Sequence, residues 1–176
     1  MDARNTISFL FFLGAISGCV TKVPQLESAK ALVSDLLRSE ETTAAKTNQW
    51  TVKFGDQGRI VDVYEESGLY IFVSDSGDVV AFDGWHIRSF AGFGGNSIQQ
   101  IIVDGTTMQF TAAEGSSIVQ CEPWESTITD AGHTYWKQKC LGQTRPSVIH
   151  VLPDGSIVEI DQAVTVSQDR MLIRRL

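Results

Sequence analysis

Leu69-Tyr70-Ile71-Phe72-Val73-Ser74-Asp75-Ser76-Gly77-Asp78-Val79-Val80-Ala81-Phe82-Asp83-Gly84 decides the fold. It holds two short apolar runs, Leu69–Ser74 and Val79–Phe82, each closed by a turn. In both turns an aspartate can bond its own backbone and a glycine can take positive φ. The first run lacks polar alternation, which places it centrally in a sheet with both faces buried. The same pattern continues on either side. Strands are expected at Trp50–Phe54, Arg59–Tyr64, Trp85–Phe90, Ile98–Val103, Thr107–Thr111 and Ser117–Cys121. Further ones follow at Thr134–Lys139, Val148–Leu152, Ile157–Asp161 and Met171–Arg175, with turns at Asp104-Gly105, Glu114-Gly115 and Asp154-Gly155. Short strands at this spacing make an antiparallel meander. Twelve of them in one domain curl into a sandwich or partial barrel, because flat sheets of that width are rare. No fixed repeat marks a propeller. Gly92-Phe93-Gly94-Gly95-Asn96 reads as a flexible loop without phosphate-binding spacing.

The segment before the sheet is of another kind. Leu26 to Arg38 places Ala29, Leu32, Val33, Leu36 and Leu37 at helical spacing, with Glu27, Lys30, Ser34 and Asp35 opposite. An N-terminal amphipathic helix packed on the domain is expected. Its polar face lacks the Lys/Arg enrichment of a membrane-surface helix. Ile7 to Ile16 is apolar but too short to span a hydrocarbon core, which takes about 20 residues. It suits the apolar region of a signal peptide. With Ile16-Ser17-Gly18-Cys19 it resembles a bacterial lipoprotein signal, in which the cysteine becomes the first residue and carries palmitate-type acyl chains. The expected organisation is a removed leader (1–18), a lipidated tether (19–25) and a single β-rich domain (26–176). Val20 after the cysteine, by resemblance to the sorting rule of such lipoproteins, favours the outer membrane, with the domain facing the periplasm.

The formal net charge is −7. Loss of Asp2 and Arg4 with the leader leaves it unchanged, and such acidity argues against a nucleic-acid partner. Cys121 and Cys140 remain as a pair in an oxidising compartment. If Thr129-Asp130-Ala131-Gly132 closes a hairpin centred between Asp130 and Ala131, the two cysteines stand directly opposite each other, within disulfide reach. The same register sets Trp124 against Lys137, as a cation–π pair, and Glu125 against Trp136. Pro123 cannot donate to a ladder, so an edge strand or a bulge is expected there.

No reaction is legible. His86, His133 and His150 lie far apart, without metal-ligand spacing. No Gly-x-Ser-x-Gly occurs, and the aspartates at 75, 78, 83, 104 and 154 sit in turns. A non-catalytic protein is expected, with no metal and no cofactor. Of the tryptophans at 50, 85, 124 and 136, Trp124 and Trp136 are the candidate glycan or partner contacts. Arg170, Arg174 and Arg175 make the last strand basic, as a solvated face.

The lipobox, the helix Ala29–Glu41 and the meander together resemble the YjbF/GfcB family of outer-membrane lipoproteins. The genes for that family lie among those for group 4 capsule and exopolysaccharide production. The matching stretches are Gly58-Arg59-Ile60-Val61, Asp78 through Phe90, Val119-Gln120-Cys121-Glu122-Pro123-Trp124, and Asp154-Gly155-Ser156-Ile157-Val158 through Gln162. The resemblance implies an all-β fold and a role in polysaccharide secretion, with no catalytic residues to carry over. The expected function is assistance to capsule or exopolysaccharide assembly or export, through export proteins or glycan. Two alternatives stand beside it: a carrier of lipids or lipoproteins with a half-barrel cavity, and a glycan-active enzyme with two close carboxylates in a cleft.

Overall fold

The computed structural model describes residues 49–176, apart from Glu114 and the side chains of Asn96 and Ser97. The leader, Cys19, the tether and the helix over 26–38 lie outside the described residues. Thirteen strands follow in order: β1 (Trp50–Phe54), β2 (Gln57–Glu66), β3 (Leu69–Ser74), β4 (Val79–Phe82), β5 (Ile87–Gly92), β6 (Gly95–Asp104) and β7 (Thr107–Ala112). Then come β8 (Gly115–Gln120), β9 (Glu125–Ile128), β10 (Thr134–Gln138), β11 (Ser147–Val151), β12 (Ile157–Ala163) and β13 (Arg170–Arg175). All join one antiparallel sheet in the order β8-β7-β6-β5-β4-β3-β2-β1-β13-β12-β11-β10-β9. Two meanders therefore meet at β1 and β13, where Val52 faces Ile173.

The sheet curls into a half-barrel, because its apolar residues alternate and need cover. Trp136, Ile149, Ile160, Ile173 and Val52 form one continuous row across β10, β11, β12, β13 and β1. Phe72, Val80 and Phe90 continue the inner face on the other wing. Both wings contribute to a single buried cluster. The curl is visible in hydrogen bonds between strands distant in sequence. Gln162 of β12, 2 % exposed, accepts from the Ile87 N–H of β5 and donates to the Trp85 carbonyl at 2.6 Å. Burying an amide is tolerable only when its polar atoms are met in this way. Central β3 is buried on both faces only in part. Phe72 points inward and Ile71 is buried on the opposite face, but Tyr70 is 37 % exposed.

Several expectations change. The described residues form thirteen strands, since Glu125–Ile128 pairs with β10. β5 begins at Ile87, because the Asp83 carboxylate accepts from the Trp85 and His86 N–H groups at 2.8 and 2.7 Å and holds both residues in a turn. The stretch 92–96 holds a two-residue turn: Gly92 pairs with Gly95, while Phe93 and Gly94 take φ of 53° and 82°. The β9–β10 register differs by one residue from the expected one. Glu125, not Trp124, faces Lys137, and Ser126, not Glu125, faces Trp136. Cys121 still faces Cys140. The extra residue lies in 122–124, where Pro123 interrupts the ladder of an edge strand. The Trp124–Lys137 cross-strand pair is thereby lost.

Two turns share one design. In Ser74-Asp75-Ser76-Gly77-Asp78 both serine hydroxyls donate to one Asp78 oxygen, at 3.0 and 2.7 Å, and the Asp78 N–H returns to the Ser74 hydroxyl. In Thr165-Val166-Ser167-Gln168-Asp169 the hydroxyls of Thr165 and Ser167 donate to Asp169 at 2.8 and 2.7 Å, and the Asp169 N–H returns to the Thr165 hydroxyl. The fourth residue needs positive φ in both: Gly77 at 82° and Gln168 at 69°. A non-glycine there is strained, and Gln168 offsets the strain with its side chain. Its amide oxygen accepts from the Thr144 N–H at 3.0 Å, and its amide nitrogen donates to the Gly142 carbonyl at 2.6 Å.

Candidate functional site

Two features stand out on this scaffold. The first is an aromatic patch. Trp85 in the β4–β5 turn, Trp124 before β9 and Trp136 of β10 converge. The Trp85 ring lies 5.0 Å from Trp136, edge to face, and 5.7 Å from Trp124. Trp85 is 41 % exposed, while the other two rings are half-buried. Its backbone is held on both sides, by Asp83 at the N–H and by Gln162 at the carbonyl. A rigidly mounted, exposed indole is a good contact surface, since little freedom remains to be lost on binding. The remaining tryptophan, Trp50, is a core residue against Phe72.

His86 completes the patch. The Trp124 indole N–H donates to His86 Nε2 at 3.2 Å. An indole can only donate, so this nitrogen must be unprotonated. Burial pushes the imidazole below its ordinary value, against the opposing pull of Asp83 and of the Gln138 amide. Gln138 also donates to the Glu122 carbonyl at 3.1 Å, which fixes the segment leading to Trp124. The Cys121–Cys140 disulfide, with an S–S distance of 2.06 Å, clamps the base of that segment. On either side the Cys121 N–H reaches the Thr106 carbonyl and the Glu122 N–H reaches the Lys139 carbonyl. The two candidate tryptophans are thus brought together, and the sheet adds Trp85 and His86 to them.

The second feature is a cleft of about 720 Å³ at one end of the half-barrel. Its apolar walls are Phe54, Phe90, Phe93, Phe110, Ala112 and Val166. Phe54 lies 5.2 Å from Phe90 and 6.3 Å from Phe93, ring centre to ring centre. The two aspartate turns frame it. Asp78 accepts from the Phe93 N–H at 2.6 Å and fixes one wall, and Thr165, Val166 and Ser167 form another. Gly92 is required here, since a Cβ at its φ of 90° would collide with the Asp78 carboxylate. Burial raises the Asp78 carboxyl, but the Phe93 N–H, the Ser76 and Ser74 hydroxyls and the Arg59 guanidinium outweigh it and bring the group down to about 2.

Elsewhere the ladders between neighbouring strands pair further ionisable and aromatic side chains. His133 Nδ1 lies 2.9 Å from His150 Nε2, and Tyr135 stacks on His150 at 4.3 Å. Burial first, and then the charge of His133, hold His150 low, against Glu159. The basic last strand is paired with acids: Arg170 meets Asp161 and Arg174 meets Glu159, each at 2.7 Å.

These features define the described residues as an all-β domain: one antiparallel sheet curled into a half-barrel, with an aromatic patch and an apolar cleft. No family model and no curated protein sequence matches the chain. Among solved structures it is similar to the hypothetical lipoprotein YmcC from Escherichia coli K12. The TM-score is 0.55 at 9 % identity, over 83 % of this chain and 93 % of that one. At such identity the likeness shows the fold alone.

Proposed function

We propose that this chain is a non-catalytic envelope lipoprotein, anchored in the outer membrane through Cys19 and facing the periplasm. In this reading its tryptophan patch contacts glycan during capsule or exopolysaccharide assembly or export. The observation that carries it is the convergence of Trp85, Trp124 and Trp136, with the exposed ring on a backbone held at both ends. Indole faces stack on the apolar faces of sugar rings at small entropic cost. The lipobox and the stretches similar to the YjbF/GfcB family supply the envelope and polysaccharide side of the proposal, and a fold shared with a hypothetical lipoprotein is consistent with it. The test is a fluorescence titration of the full-length protein with fragments of acidic and neutral bacterial exopolysaccharides. Saturable quenching is expected, weakened about tenfold by Trp85→Ala or Trp124→Ala, a loss of roughly 1.4 kcal/mol. Quenching that neither substitution changes removes the glycan contact. Mass analysis of membrane-extracted protein reads the anchor at Cys19 directly.

A further inference from the structure

The aromatic patch leaves the cleft unexplained, and the cleft has a chemistry of its own. Its volume lies within the range of ligand sites, about 300–1,000 Å³. The rings of Phe90, Phe93 and Phe110 are nearly buried, at 4 %, 5 % and 6 % exposure, and face open space between the walls. No charged side chain is among the described residues that line it. Of its hydroxyls, those of Thr165 and Ser167 both donate to Asp169, and those of Ser116 and Ser117 lie along the β8 side. The carboxylate nearest the Phe93 wall, Asp78, is used by Arg59, Ser74, Ser76 and the Phe93 backbone. A charged guest would lose water and meet no opposite charge here, and a polyhydroxylated one would spend most of its contact on phenylalanine rings. A hydrocarbon guest loses nothing by desolvation and gains the phenylalanine surface.

We propose that this cleft binds a single saturated acyl chain, held among Phe54, Phe90, Phe93 and Phe110. The proposal stands apart from the glycan contact, since the cleft shares no residue with the tryptophan patch. An acyl chain could arrive as a free fatty acid or as one tail of a membrane phospholipid, and the experiment separates these sources. Full-length protein in phosphatidylcholine vesicles is irradiated with diazirine-bearing palmitic acid or, in a parallel arm, with phosphatidylcholine carrying the same diazirine chain. Adducts are mapped by peptide mass spectrometry. Adducts on peptides carrying Phe54, Phe90, Phe93 or Phe110, suppressed by excess palmitate, are expected in at least one arm. The productive arm identifies the source.

Ala112→Trp fills the cleft from the β7–β8 side and Val166→Trp fills it from the opposite turn. Each should reduce these adducts about tenfold, while Trp85→Ala leaves them unchanged. Thermal unfolding of each variant shows which have kept the fold; Val166 is 49 % exposed, so its replacement does not disturb the core. Adducts scattered over the outer face of the sheet, or cleft adducts that a folded Val166→Trp protein retains in full, overturn the proposal. Failure of glycan binding with intact acyl labelling would refute only the glycan reading.

Discussion

Asp78→Asn tests how the half-barrel holds its cleft. The substitution preserves shape and can preserve the bond from the Phe93 N–H, but it removes the charge and turns an amide toward Arg59, Ser74 and Ser76. A carboxyl brought from 3.8 to about 2 on folding, at about 1.4 kcal/mol per unit, contributes roughly 2 kcal/mol at neutral pH. The side chain is 8 % exposed, so solvent screening takes little from this figure. Urea unfolding at pH 7 should therefore show a loss of about 2 kcal/mol, with Tm about 8 °C lower. The pH dependence has a definite sign. Because the folded-state value is depressed, the stabilisation is fully present above 3.8 and fades as pH falls through about 2. The gap between wild type and variant should stay constant from pH 7 to about 5 and narrow below pH 4. A gap under about 0.5 kcal/mol, or one equally wide at pH 7 and pH 2.5, would refute the reasoning.

Other perturbations probe the remaining supports. Cys121→Ser with Cys140→Ser opens a bridge that spans 19 positions; a loss of about 3 kcal/mol is expected by chemical denaturation, and a loss below 1 kcal/mol would argue that the ladder alone fixes the joint. At position 168 the usual ranking should invert. Gln168→Gly relieves the positive φ that Gln168→Ala keeps, so the glycine variant should be the more stable by about 1 kcal/mol, and equal unfolding midpoints would count against strain there. Protonation of His86 must break the bond from Trp124. Its folded-state value lies below 6.5, so the neutral form that accepts this bond persists in the folded protein below the usual titration point. The associated stabilisation declines as pH falls below about 6.5. Tryptophan emission should change on acidification with a midpoint below 6.5, and His86→Phe should abolish that step; a step that survives the substitution points to another group.

Much of the sheet could be read from residue order, because its strand ends carry local signals. Trp50–Phe54, Leu69–Ser74 and Val79–Phe82 coincide with observed strands, since Gly and Asp fix the turns beside them. β9 was legible only as the first arm of the hairpin turned at Thr129–Gly132, not from a pattern of its own. Glu125-Ser126-Thr127-Ile128 is exposed throughout and has no apolar rhythm; it is a strand because β10 offers it a ladder. The register around Pro123 was open to a one-residue error, since a bulge leaves no periodic trace. The patch and the cleft were hidden for a deeper reason. Trp85 meets Trp124 and Trp136, and Phe54 meets Phe90, only because the sheet curls. Curl is set by the sum of many strand twists rather than by any short motif. Helical spacing over 26–38 and the apolar leader remain statements about sequence.

The strand order carries a consequence for how the molecule is made. Every ladder in the sheet joins neighbours along the chain except one, between β1 and β13, which is extended by the Leu176 N–H bonded to the Gln49 carbonyl. Hairpins close in microseconds, whereas this seam must wait for the final strand and bears the largest loop-closure entropy of any pairing here. During synthesis the first eight strands can zip progressively while β1 stands as an unprotected rim. The last strand to emerge is the one that seals it.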